Sequence, residues 1–252
     1  MPRSVRHGAR QFCLWRKNWG YLFDSTASNL RSQKSEFVAL TVPSINNPNY
    51  ADTVRGLTEG VKARGLQILL GSTDYDVAEE ERLIEQFLRR RPAAIVVTGG
   101  KHSDRSRKLL VNAGLPVIET WDLPEMPIGD VMGFSNAVAV RGMVDHFMAK
   151  GLTRLAFIGG DVGQDTRGTE RRLGFVAAMQ AHRLPPDRLI TAGQSPISMR
   201  EGEEAMARLL QMMPDTQAVI CVSDLSAFGA LTECQRRGVA VPGRISLAGF
   251  GD

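Results

Sequence analysis

The residues best equipped for chemistry in this 252-residue chain are four histidines, His7, His102, His146 and His182, and they are scattered. None stands at metal-ligand spacing from another histidine or a cysteine, so no metal site is expected. His146 and His182 fall late in helix-patterned stretches, where a surface or capping role suits them. GFSNA (133–137) is one residue short of the G-x-S-x-G turn that presents a nucleophilic serine, because its last position is Ala137. With no histidine partner in evidence, Ser135 is assigned to an N-cap or a pocket. FIGGDVG (157–163) follows an apolar run as a dinucleotide loop would, but lacks the G-x-G element. Glu79, Glu80 and Glu81 sit near a helix start, favoured by the helix dipole, and a solvated face is expected of them. No catalytic constellation and no cofactor motif survives, so neither an enzyme nor a cofactor is expected.

What survives is a set of polar residues that follow apolar runs. Asn46 and Asn47 follow FVALTVPS, and Tyr50 opens the next helix. Asp74 follows LQILLGS, Arg171 precedes Gly174-Phe175, Ser223-Asp224 ends VICVSD, and Asp252 follows LAGFG. Each has an ordinary structural use: Asn47-Pro48 and Asp74 as turn and cap, Tyr50 as core, Arg171 as a surface ion pair. Their joint position after strands points instead to a polar small-molecule cleft. Amides, hydroxyls and carboxylates match a hydroxyl-rich ligand, and an arginine grips a carboxylate through two parallel hydrogen bonds.

The elements that must position these residues alternate. Strands are expected at 37–44, 66–72, 93–100, 115–121 and 130–135, with helices at 49–64, 76–90, 104–113 and 136–150. The order repeats with strands at 154–160, 188–191, 217–223 and 245–251, and helices at 169–182, 199–212 and 224–237. Alternation of this kind gives parallel sheets with right-handed crossovers, and near-continuous apolar strands imply that both sheet faces are covered. The nine strands suit two lobes divided near 135–152, with ligands bound at the strand carboxyl ends between them.

Bulk properties fit this α/β reading. Hydrophobic residues make up 43% and charged residues 23%, as in an ordinary globular chain. No apolar run reaches the roughly 20 residues of a membrane helix, and no export signal is recognisable. Cys13, Cys221 and Cys234 are an odd number without paired spacing, which suits reduced thiols in a cytoplasmic protein. The net charge of +4 is uneven: residues 1–35 carry +6. That basic arm fits either a solvated tail or a nucleic-acid contact.

The chain resembles the LacI/GalR family of sugar-responsive transcription regulators. The resemblance runs from Gly20 to Asp252 through ASNLRSQKS, VPSINNPNYA, GSTDYD, VMGFSNAVAVRGMVDHF, RLGF, VSDLSAFGAL and RGVAVPGRISLAGFGD. PVIETWDLP, GFSN and FGD most resemble the gluconate-repressor subgroup. The resemblance implies a two-lobed, periplasmic-binding-protein-like fold with a short N-terminal hinge helix. It implies operator DNA and a sugar or sugar-acid effector, such as gluconate, as partners of a homodimer. The expected divisions are an atypical basic segment at 1–19 without a recognisable helix-turn-helix, a hinge at 20–35, an N-terminal effector lobe at 36–135, and a C-terminal lobe at 136–252. That second lobe is expected to be incomplete, because the family continues beyond FGD.

Carried over by residue, Arg171 matches the family's effector-contacting arginine. Ser223 stands where asparagine is common, and Gly251 where a ligand-binding aspartate is common, with Asp252 one position on. Loss of that carboxylate favours an anionic ligand. In the hinge, Asn29, Leu30 and Arg31 are the expected DNA contacts, Leu30 as an apolar wedge in the minor groove. The alternative is a sugar-binding component of a transport or sensing system without DNA binding. An export signal and the lack of a hinge motif would mark it. An enzyme acting on a sugar or nucleotide would instead need convergent acid, base or metal groups.

Overall fold

The computed structural model of the chain describes residues 35–160, 163 and 165–251. The expected DNA contacts Asn29, Leu30 and Arg31, and the expected effector contact Asp252, lie outside the described residues. Residues 36–252 form one compact unit.

Two parallel sheets are built within it. The first has strand order β2-β1-β3-β4-β5, with β1 Phe37–Val42, β2 Gln67–Ser72, β3 Ala94–Thr98, β4 Val117–Thr120 and β5 Asp130–Met132. The second has order β7-β6-β8-β9, with β6 Leu155–Gly159, β7 Leu189–Thr191, β8 Ala218–Cys221 and β9 Ser246–Ala248. Every pairing is parallel, as in Leu40 opposite Leu70 and Phe157 opposite Ile220. Each sheet winds outward from a central pair, β1/β3 or β6/β8. In such sheets the crevice lies beyond the carboxyl ends of those central strands.

Seven helices connect the described strands: α1 Pro48–Lys62, α2 Val77–Arg89, α3 Asp104–Val111, α4 Asn136–Ala149, α5 Thr166–Ala181, α6 Met199–Met212 and α7 Asp224–Arg236. Side-chain N-caps are supplied by Asn47, Asp76, Ser103, Ser135, Ser198 and Ser223, each accepting a backbone N–H of the first turn. α5 is the exception, since Asp165 makes no capping bond.

The central strands β1, β3, β6 and β8 are buried on both faces. Ala39, Ile95 and Val97 meet Ile84 and Phe87 on one face of the first sheet, while Leu40 and Val96 meet Tyr50 on the other. In the second lobe Phe157, Phe175, Met206 and Ile220 belong to a single larger core. Cys221 and Cys234 are buried free thiols within it, and burial pushes the Cys221 thiol up to about 12. Among the described residues no helix is long and apolar enough to cross a membrane.

Candidate functional site

A cleft of about 780 Å³, part of it open to solvent, opens where the carboxyl ends of the two sheets face each other. The first lobe contributes Ser44, Asn46 and Asn47 from the turn after β1, Tyr50 from the first turn of α1, Tyr75 from beyond β2, and Trp121 from beyond β4. The second contributes Asp165, Arg167 and Arg171 around the start of α5, Ser195 to Ser198 beyond β7, Ser223 beyond β8, and Phe250 beyond β9.

Of the expected effector contacts, Asn47, Tyr50, Arg171 and Ser223 are brought together here. Asn47 and Ser223 serve also as N-caps, so their structural and lining uses coincide. Asp74 stands apart. It is exposed, its carboxylate accepts the Ser72 hydroxyl at 2.9 Å, and Tyr75 takes the place beside the cleft instead. The backbone explains the exchange: Asp74 and Tyr75 both have left-handed φ, +49° and +63°. Such strain in non-glycine residues concentrates at functional positions. Burial first, then Tyr50 and Asp165 close by, hold the Tyr75 phenol well above its usual range. It therefore stays neutral and able to donate.

The position of Gly251 has a local cause. A Cβ there would collide with the Asp224 carboxylate, which also fills the space beside Gly249. Asp224 thus occupies the volume that a side chain at 251 would need.

An aromatic series runs along the cleft and joins the lobes. Tyr50 meets Trp121 edge-on at 5.6 Å, Trp121 meets Phe134 at 6.0 Å, and Phe134 stacks on Phe250 at 5.9 Å. Arg171 lies over Phe250, 3.7 Å from the ring centroid. Arg171 Nε donates to Asn136 Oδ1 at 2.8 Å and Nη1 to the Val222 carbonyl at 2.7 Å. Asn136, fully buried at the start of α4, donates in turn to the Trp121 carbonyl at 3.3 Å. One amide therefore ties the arginine of one lobe to the strand end of the other. Asn136→Ala is expected to cost about 1–3 kcal/mol by leaving these buried groups unmatched. The check is the urea midpoint, which should fall without a change in slope.

Arg167 and Tyr75 are cleft residues that pattern reading missed. Arg167 is only 6% exposed. It approaches the Tyr50 ring at 5.8 Å, and its Nη1 lies 2.8 Å from where a Cβ on Gly99 would stand. Gly99 has φ +101°, so glycine is needed there for backbone and space alike. Burial opposes the Arg167 charge, but its surroundings, the Asp165 and Asp122 carboxylates among them, outweigh it and hold the guanidinium protonated.

A second charged group is buried within the first lobe. The His102 ring, 1% exposed, lies between Glu80 of α2 and Glu119 of β4. Its Nδ1 is 2.9 Å from Glu80 and its Nε2 is 3.6 Å from Glu119, an ion-pair rather than a hydrogen-bond distance. Burial pushes the imidazole down, but the two carboxylates outweigh it and raise it to about 9. Burial likewise raises Glu119, yet the His102 cation and the Ile128 and Gly129 amides hold it below its ordinary value. The expected solvated acidic run is thus corrected at Glu80, which is buried against His102. Glu79 keeps to the surface with Arg82. His182 takes a surface role, its ring 2.6 Å from Asp145. Among the described residues no group of three histidine, cysteine or acidic side chains is arranged to hold a metal.

Fold and cleft together define a two-lobed core of the periplasmic-binding-protein type, and residues 144–252 match the family described as a periplasmic binding protein-like domain. The chain belongs to the LacI family of transcriptional regulators. It is 32% identical, over its full length, to the HTH-type transcriptional regulator GntR of Pseudomonas aeruginosa, and it spans 71% of that protein. A LacI family transcriptional regulator from Silicibacter pomeroyi has a crystal structure with TM-score 0.82 and 42% identity, over 86% of this chain and 80% of that one. The transcription regulator GntR of Chromobacterium violaceum superimposes with TM-score 0.78 at 31% identity, over 84% of this chain and 78% of that one. Membership of this family makes the chain a regulator and not an enzyme.

Proposed function

We propose that the cleft is the effector site of a repressor-type regulator, that its ligand is a sugar acid of gluconate type, and that occupancy is coupled to operator binding. The observation that carries this reading is the cleft lining: amides, hydroxyls and aromatic faces suited to a polyhydroxy chain, with Arg167 and Arg171 supplying positive charge. Coupling is a free-energy link between two sites, so an effector that prefers one lobe geometry shifts DNA affinity by its differential binding. The aromatic series from Tyr50 to Phe250 crosses between the lobes and suits that transmission.

Residues 36–135 and 136–252 are the two effector lobes in this reading, and 20–35 is the hinge. A hinge helix of about two turns is too short to persist alone. It would form on DNA beside its mate in a homodimer, with Leu30 wedged into the minor groove and Asn29 and Arg31 beside it. The protein would work in the cytoplasm, where its operator is.

The test is a thermal-shift panel of gluconate, related sugar acids, glucose and ribose. Gluconate or a close relative should raise the melting temperature in a saturable way, and a panel with no stabilising acid would refute the effector assignment. In a form of the protein that binds operator, Leu30→Ala should abolish that binding, and unchanged affinity would remove the wedge.

A further inference from the structure

The two cleft arginines are in different states. Arg171 is committed: two hydrogen bonds and a stacked ring fix its guanidinium. Arg167 makes no hydrogen bond to another described residue, although it is more than nine-tenths buried and lines the cleft. Among the described residues its nearest acid is Asp165, at 3.8 Å. Asp165 is also uncommitted. It holds the N-cap position of α5 without capping it, and its Oδ1 is buried with no hydrogen-bond partner. A strong planar donor and a strong acceptor thus stand side by side in the cleft wall. The gap between them is about 1 Å longer than a charge-assisted hydrogen bond. A ligand oxygen set beside both would satisfy them together.

We propose that Arg167 and Asp165 are the specificity-determining pair of the cleft. Arg167 grips the carboxylate of a hydroxy acid, and Asp165 accepts a hydrogen bond from the hydroxyl on the adjacent carbon. Arg171 is a positioning residue that fixes the wall through Asn136, Val222 and Phe250. This rests on the effector reading above and moves the acid-binding role from the arginine that motif comparison selects to its neighbour one turn earlier. The chemistry requires both partners. A carboxylate matches the guanidinium fork in two parallel bonds. Asp165 alone would repel that carboxylate. Beside Arg167 it can be reached by a hydroxyl one carbon away, so the pair favours a 2-hydroxy acid over a simple acid or a neutral polyol.

The test is titration calorimetry on the 252-residue chain with three probes. These are gluconate, glucitol (the same polyol chain without the carboxylate) and 2-deoxygluconate (without the adjacent hydroxyl). The unchanged chain should prefer gluconate to each analogue by at least about tenfold, as expected where buried polar groups lose their partner. Arg167→Gln should remove the preference over glucitol, weakening gluconate at least about tenfold more than it weakens glucitol. Arg167→Lys, which keeps the charge but loses the fork, should retain part of that preference. Asp165→Ala should remove the preference over 2-deoxygluconate. If Arg167→Gln binds gluconate as tightly as the unchanged chain, the assignment is wrong while the effector site stands. If none of the three probes binds the unchanged chain, the effector reading itself fails and this pairing with it.

Discussion

Replacing His102 by alanine is expected to lower the melting temperature by roughly 10 °C, from a loss of about 3–5 kcal/mol. The loss comes less from the imidazole than from what it leaves behind. Glu119 is fully buried, one of its oxygens faces only His102, and the other accepts the Ile128 amide at 2.6 Å. Without the ring, Glu80 and Glu119 would share a dry pocket with no cation. The pH dependence has a definite sign. His102 is raised in the folded state, from 6.5 to about 9, so its contribution is fully present below 6.5 and fades as pH rises through 9. Glu119 is depressed in the folded state, so its contribution is present above 4.5 and is lost as pH falls through its lower folded value. The penalty of His102→Ala should therefore be greatest between pH 4.5 and 6.5 and shrink toward pH 10. Calorimetry at pH 5.5, 7.5 and 9.5 reads this directly; a penalty independent of pH would contradict the ion-pair account.

The second large effect belongs to the packing of α6 on α7. A Cβ on Gly229 would collide with the Met199 carbonyl oxygen and approach the Glu203 amide, and a Cβ on Gly202 would meet the Ser226 carbonyl. These obstacles are backbone, so no rotamer change relieves them and the helices must separate. Gly229→Ala is expected to cost about 3 kcal/mol, at the upper end for overpacking. It should also loosen the start of α7, where Ser223 meets the cleft. Gly142 in α4 is the matched control, because a Cβ there meets nothing within 4 Å. Gly142→Ala should be neutral or stabilising by up to about 1 kcal/mol. The comparison is made on urea midpoints, and equal values for the two variants would show that the α6–α7 contact gives way freely.

Much of the architecture is legible in the residue pattern, because local chemistry marks it. Short β-branched runs give the strands, and Ser198 with Glu201 announces the start of α6, found at the expected 199–212. The miss at α5 had consequences. A start at 169 was expected, since Thr166-Arg167-Gly168 carries no apolar periodicity and includes a glycine. The helix begins at Thr166, which places Arg167 in its first turn beside the cleft rather than in a loop. Tyr75 was hidden for a related reason: two successive left-handed residues that are not glycine leave no signal in composition. Glu80 could not be read locally at all. Its burial depends on His102 and Glu119, which only the sheet brings together. Cap and strand signals are properties of neighbours in the chain. The cleft's charge is set by partners distant in it.

The central claim, that the cleft binds a sugar acid, is tested most directly by calorimetric titration of gluconate into the 252-residue chain. The expected result is saturable binding of one gluconate per chain, lost or strongly weakened in Arg167→Gln. An absence of saturable heat at millimolar gluconate, together with an unshifted melting temperature, would contradict it.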